Sequence, residues 1–179
     1  SEAFLKAAGS RALLPPQIRP LGDLNEGEAP FEPGDLTLDL PTAISPLRRR
    51  FELTRLVLEN QHLLDRDLDV GGAMEMAEAL GGFLDSLQIE ERDASGLEKL
   101  VTDDLAEHWA RSRNFLEMAL EKWPLRLKDL GLCDVSQRRV LLLSRLAEQW
   151  TLKPPEGVLV AAGSTGTAPA TARLLAAIA

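Results

Sequence analysis

Hydrophobic positions change their rhythm along this chain. The opening Ser1-Glu-Ala-Phe-Leu-Lys-Ala-Ala stretch has helical spacing, Gly9 and Ser10 stop it, and residues 13–18 form a short apolar run around Pro15 and Pro16. Two prolines allow at best an edge or irregular strand there. Residues 20–41 carry Pro20, Pro30, Pro33 and Pro41, three glycines and six acids with no Lys or Arg, the pattern of a long acidic surface loop. From Ser45 the pattern turns helical. Ser45 suits a cap and Pro46 the first helical position, with Leu47, Phe51 and Leu58 expected on one face and Arg48 and Arg55 on another, to about Leu64. Residues 65–72 read as a turn and 73–89 as a second helix, weakened by Gly81 and Gly82 because an internal glycine costs roughly 1 kcal/mol relative to alanine.

Further on, Ser95 caps a short piece to Leu100, and Thr102 opens a long helix with Asp103 and Asp104 in its first turn. Pro124 should kink this helix and Gly131 should end it. Asp134, with Gln137 three residues on, resembles a capping box for a helix bearing Val140, Leu143, Leu146, Ala147 and Trp150. After the hinge at 153–157, Val158–Ala162 reads as a buried strand, followed by a loop and a helix opened by Pro169. The expected fold is mainly α, a helical subdomain inserted between short strands of a partial α/β core: residues 1–44 a partial α/β segment with the acidic loop, 45–153 the helical subdomain, 154–179 a strand, loop and helix. The chain starts without methionine on one helical stretch and stops within another, and so reads as a piece of something larger.

Composition narrows the class. The 179 residues are 45% hydrophobic and 27% charged, which excludes a disordered or collagen-like chain. Cys133 is the single cysteine, so an internal disulfide or a cysteine cluster within this stretch is excluded and a reducing, cytoplasmic setting is expected. No apolar run approaches the roughly 20 residues of a membrane span. The formal charge of -8 argues against nucleic acid only until it is divided: residues 20–41 carry -6 and 65–107 carry -10, whereas 42–64 carry +2 and 108–153 carry +4. Arginine-bearing helices are thus set against two acidic blocks, and DNA contact on one face stays open.

Candidate chemistry is sparse. Gly163-Ser-Thr-Gly166 has neither the spacing nor the lysine of a P-loop and reads as an ordinary strand-to-helix turn. The same turn places Ser164 near a nucleophile-elbow pattern, an enzyme alternative in which the chain would be a serine hydrolase, although none of the thirteen residues after Gly166 is His, Asp or Glu. Asp104 and His108, four apart, could share a metal with Asp103 and Glu107, but helix N-terminal acids beside a packed histidine are the simpler account. Trp109, Trp123 and Trp150 suit core packing better than base stacking. Cys133 has no activating neighbour and reads as small and semi-buried. The runs Arg48-Arg49-Arg50 with Arg55, and Arg138-Arg139 with Arg145, suit a salt-bridged face or a surface for phosphate or a protein partner.

Four blocks in order carry a family resemblance: residues 13–24 (LLPPQIRPLGDL), 38–50 (LDLPTAISPLRRR), 104–109 (DLAEHW) and 160–178 (VAAGSTGTAPATARLLAAI). Together they resemble the AddB subunits of alphaproteobacterial AddAB helicase-nucleases, which resect DNA double-strand breaks before recombination. The resemblance implies the degenerate, superfamily 1 helicase-like N-terminal region, non-catalytic in itself, that guides or scans DNA and docks an AddA-like partner motor. The parent would be part of an ATP-dependent helicase and exodeoxyribonuclease, cytoplasmic and nucleoid-associated, with its iron–sulfur cluster and Mg²⁺ site outside this region, leaving no cofactor here. Where an active motor has an Asp-Glu pair for Mg²⁺, the resemblance puts Ala161 and Ala162, which have no side-chain oxygen to offer. It also makes Arg19, Arg48, Arg49 and Arg55 the candidate DNA contacts. A helical protein-interaction module without DNA contact is the third reading.

Overall fold

A computed structural model describes residues 6, 9, 39–64, 67–92, 115–156 and 159–179. The chain divides into two compact units, Ser1–Pro33 and Gly34–Ala179, and every element below lies in the second. The described part is mainly helical. No strand is present among the described residues; the extended pairing there is a single parallel bridge between Ala43 and Cys133.

Helix α1 spans Pro46–Glu59, with Ser45 at its N-cap accepting the Arg48 N–H and Pro46 in the first turn. It ends five residues short of the expected limit, because Asn60 leaves the helical path and its side-chain amide donates to the Leu56 carbonyl at 2.7 Å; a 3₁₀ turn, Gln61–Leu64, follows. The buried face also differs from the expected one. Leu53, Leu56 and Val57 point into the core, while Leu47 and Phe51 are 64% and 57% exposed. Two apolar stripes compete on this helix, and the one that meets α2 is buried.

Helix α2, Val70–Ile89, starts three residues earlier than its apolar pattern, since the Asp69 carboxylate accepts the Gly72 N–H at 2.7 Å and caps the turn. Ala73, Ala77, Leu80 and Leu84 form one continuous stripe against α1. The helix closes with a Schellman arrangement: the Glu91 N–H donates to the Gln88 carbonyl and the Arg92 N–H to the Leu87 carbonyl. Glu91 itself occupies the left-handed region, at φ +48°.

Pro124 acts as the sequence predicts, with a specific form. Lacking an N–H, it cannot bond to the Leu120 carbonyl, and the preceding residues widen into a π-helical turn, Met118–Lys122, in which the Trp123 N–H reaches back to the Met118 carbonyl. Helix α3, Trp123–Leu130, then stops at Gly131, whose φ of +65° is the left-handed conformation glycine adopts without a Cβ clash. Met118, Ala119, Trp123 and Leu127 join the α1–α2 stripes and Ile44 in one core.

Helix α4, Val135–Leu152, buries Leu143, Leu146, Ala147 and Trp150, and α5, Pro169–Ala177, packs along it through Ala170 and Leu174. The strand expected at Val158–Ala162 is not formed: residues 159–162 are irregular and Val160 is 81% exposed. A strand needs a neighbour to take its N–H and C=O groups, and the described residues supply none. The Ser95 and Thr102 helices and residues 13–38 lie outside the described residues. Among the described residues no helix is long and apolar enough to cross a membrane.

Candidate functional site

The Ala43–Cys133 bridge organises the best-defined polar site. Ile44 donates to the Cys133 carbonyl at 2.9 Å and Cys133 to the Thr42 carbonyl at 3.0 Å, which sets the start of α1 beside the start of α4. Asp134 and Arg49 are thereby brought together across 85 residues of chain. Asp134 takes the N-cap position of α4, but its carboxylate makes no cap bond. It turns inward, accepts the Trp123 indole N–H at 2.6 Å and lies 3.1 Å from Arg49 Nε, with no side-chain exposure. The expected cap bond is absent because the carboxylate is turned away from the α4 amides toward the Trp123 indole and the Arg49 guanidinium.

The rest of the Arg49 fork is also occupied. Its terminal nitrogens meet both oxygens of Asp85 at 2.9 and 3.0 Å, and one also donates to the Gly81 carbonyl at 3.3 Å. Ser136 Oγ donates to Asp85 at 2.6 Å. The network therefore ties the first turn of α1, the middle of α2, the start of α3 and the start of α4. Arg49, one of the candidate DNA contacts, is 13% exposed and engaged within the protein.

Arg48 and Arg55 are placed differently, with side chains 52% and 66% exposed. Arg55 Nε donates to Glu59 at 2.7 Å, whereas Arg48 Nε is a loose 4.0 Å from Glu52. Arg126, on α3, reaches both glutamates from the flank, 3.4 Å from Glu52 and in close contact with Glu59. Arg126 was not marked by any sequence signal except the spacing of its partners, Glu52 and Glu59, which are seven apart and share one side of α1.

Other candidates resolve more simply. Trp123 and Trp150 are buried in the core. Cys133 is buried, its thiol donating to the Pro41 carbonyl at 3.1 Å, and Arg138 donates to the same carbonyl at 3.0 Å. Ala161, Ala162 and Ser164 are exposed on irregular chain, and Ser164 Oγ accepts the Gly166 N–H at 3.4 Å rather than topping a strand. Arg19, Asp103, Asp104, Glu107, His108 and Trp109 lie outside the described residues. No group of three metal-ligating side chains occurs among the described residues.

A second ion pair closes the far end of the bundle. Arg173 of α5 donates to both oxygens of Glu91, at 2.7 and 2.5 Å, and to Ser144 Oγ of α4 at 2.8 Å. The hydrogen bond from Arg173 holds the Glu91 carboxyl below its ordinary pKa of 4.5, with partial burial opposing and the arginine's charge assisting. A carboxyl whose pKa falls on folding stabilises the fold above its unfolded value, and that contribution is lost as pH drops through the lowered folded value. Glu91→Gln should therefore cost under about 1 kcal/mol at pH 7, as expected for an exposed pair. Urea titrations of both proteins should show the gap shrinking below the ordinary pKa of 4.5, and a gap that persists unchanged into acid would contradict this account.

Comparison with protein-family models, with curated protein sequences and with solved structures found no significant match.

Proposed function

We propose that this chain is the non-catalytic, helicase-like part of an AddB-type subunit of a DNA double-strand-break repair complex, serving to guide DNA and to dock an AddA-like partner motor. In this reading the helical body of residues 45–153 is inserted into an α/β core to which residues 154–179 return. Ala161 and Ala162 then stand at the positions of a metal-binding acidic pair and supply no ligand to Mg²⁺. The four sequence blocks support the family, and one structural observation supports the DNA role. Arg48 and Arg55 are largely exposed on the outer side of α1, and although they pair with Glu52 and Glu59, Arg126 shares both glutamates, so this face sets three arginines against two glutamates and keeps a positive surplus for phosphate.

The measurement is fluorescence anisotropy of a labelled single-stranded oligonucleotide titrated with the full chain. Binding should be weak, with the logarithm of the binding constant falling linearly with the logarithm of salt concentration, and the Arg48→Ala/Arg55→Ala variant should weaken it and flatten the salt slope by about one to two phosphate contacts. Absent or salt-insensitive binding would refute the DNA role. The exposed pair Leu47 and Phe51 favours the rival reading of a protein-interaction module, which predicts that outcome.

A further inference from the structure

Where α2 ends, a groove of about 780 Å³ opens between that helix, the π-helical turn with α3, and the start of α4. Its size is that of small-molecule sites, roughly 300–1,000 Å³. Six leucines line it: Leu84 and Leu87 of α2, Leu120 of the π-helical turn, Leu127 of α3, Leu132 just after it and Leu141 of α4. Such walls give an aliphatic chain close contact and offer it no polar atom. The charges around the groove are unequal. Arg92 and Lys128 line it and are exposed, and the single acid among its lining residues is Glu91, whose two oxygens are both held by Arg173. Two cations are thus set against one acid that is already paired, which suits an anionic head on an apolar body.

One polar atom is stranded at the same place. Gln88 lines the groove, and its side-chain oxygen is shut off from water and takes no hydrogen bond. Few buried polar atoms stay unpaired in folded proteins. The last bond of a glutamine side chain turns over a broad range, so a small rotation brings this oxygen to a donor in the groove. We infer that the groove is a binding site for an N-acyl amino acid, with the acyl chain along the leucines, the amide N–H donating to Gln88 and the carboxylate paired with Arg92 and Lys128. A plain fatty carboxylate satisfies the leucines and the cations but leaves Gln88 unpaired, and a neutral lipid leaves the cations unused. None of the lining residues is a proposed DNA contact, so the inference stands apart from that reading.

The test is isothermal titration calorimetry of the full chain with N-decanoylglycine, N-decanoylsarcosine, N-decanoylglycine methyl ester and decanoate, each below its micelle concentration. Sarcosine carries a methyl group in place of the amide hydrogen, and the ester removes the charge. N-decanoylglycine should bind tightest, with the sarcosine analogue and decanoate about fivefold weaker for one neutral hydrogen bond and the ester about tenfold weaker for a charged one. Arg92→Ala and Lys128→Ala should weaken N-decanoylglycine and leave the ester unchanged, and Gln88→Leu should erase the preference for glycine over sarcosine. Circular dichroism of each variant checks folding, which the exposure of Arg92 and Lys128 favours. Cys133, the single cysteine of the chain, is buried and lines the same groove, so it reports where the ligand sits. Its labelling by a small apolar thiol reagent should slow when N-decanoylglycine is bound. Absence of binding, or binding that leaves Cys133 labelling unchanged, would overturn the site. Equal affinity for all the probes would reduce the groove to a general apolar surface and overturn the assignment. If decanoate matches N-decanoylglycine and Gln88→Leu changes nothing, the acyl amino acid is overturned as the ligand.

Discussion

Arg49→Met should destabilise the protein by about 3–5 kcal/mol, the cost of leaving a buried carboxylate without its cation. Two acids meet this guanidinium, but they are not equivalent. Asp85 keeps 35% side-chain exposure and can turn to water, whereas Asp134 has none and would retain only the Trp123 indole N–H. The loss is therefore concentrated on Asp134. Urea unfolding followed by circular dichroism gives the magnitude, and a double-mutant cycle gives the cause. Adding Asp134→Asn to Arg49→Met should recover part of the stability, because it removes the stranded charge while keeping an oxygen for Trp123. Arg49→Lys should fall between the two, since an ammonium keeps the charge but cannot span Asp85, Asp134 and the Gly81 carbonyl at once. A midpoint for Arg49→Met within about 0.5 kcal/mol of the parent, the range of ordinary surface changes, would remove this network from the account of stability.

Leu174→Ala should cost about 2–5 kcal/mol locally, the range for truncating a fully buried leucine. Leu174 is completely buried and shares the inward face of α5 with Ala170. A nine-residue helix has no stability of its own in water, so α5 depends on its packing against α4 and on the Arg173 pair. Its release need not unfold the α1–α2–α3 core, where the cluster around Leu80 and Trp123 lies. Limited trypsin digestion distinguishes the two cases. Cleavage after Arg173 should accelerate by at least about tenfold, because the lost free energy raises the open population exponentially in the fast-reclosing regime, with a smaller change in the global unfolding midpoint. Cleavage no faster than in the parent would show that Leu174 does not hold the helix down.

These two sites also mark where sequence reasoning succeeds and where it stops. Ser45, Pro46, Pro124 and Gly131 act where the sequence places them, because caps, missing N–H groups and left-handed turns depend on a few adjacent residues. The polarised charge, with arginines gathered in residues 42–64, is likewise a property of the chain alone. The buried face of α1 is not. Leu47 and Phe51 have helical spacing as good as that of Leu53 and Leu56, and only contact with α2 decides which stripe is covered. The same holds for Asp134, whose sequence context is that of a cap and whose actual partners are Trp123 and an arginine 85 residues away.

What the sequence determined by itself is therefore the helical class, the main starts and stops, and the supply of arginines for a charged face. The tertiary structure alone decided which arginine is spent internally and which remain outward. Arg48, Arg49 and Arg55 are equivalent in composition, and their fates differ because Asp85 and Asp134 arrive beside Arg49 and bury it, while Arg48 and Arg55 stay on the outer side of α1 beside Glu52 and Glu59, which they share with Arg126. Burial and ion pairing depend on distance in space, and distant segments set that distance only when they fold together.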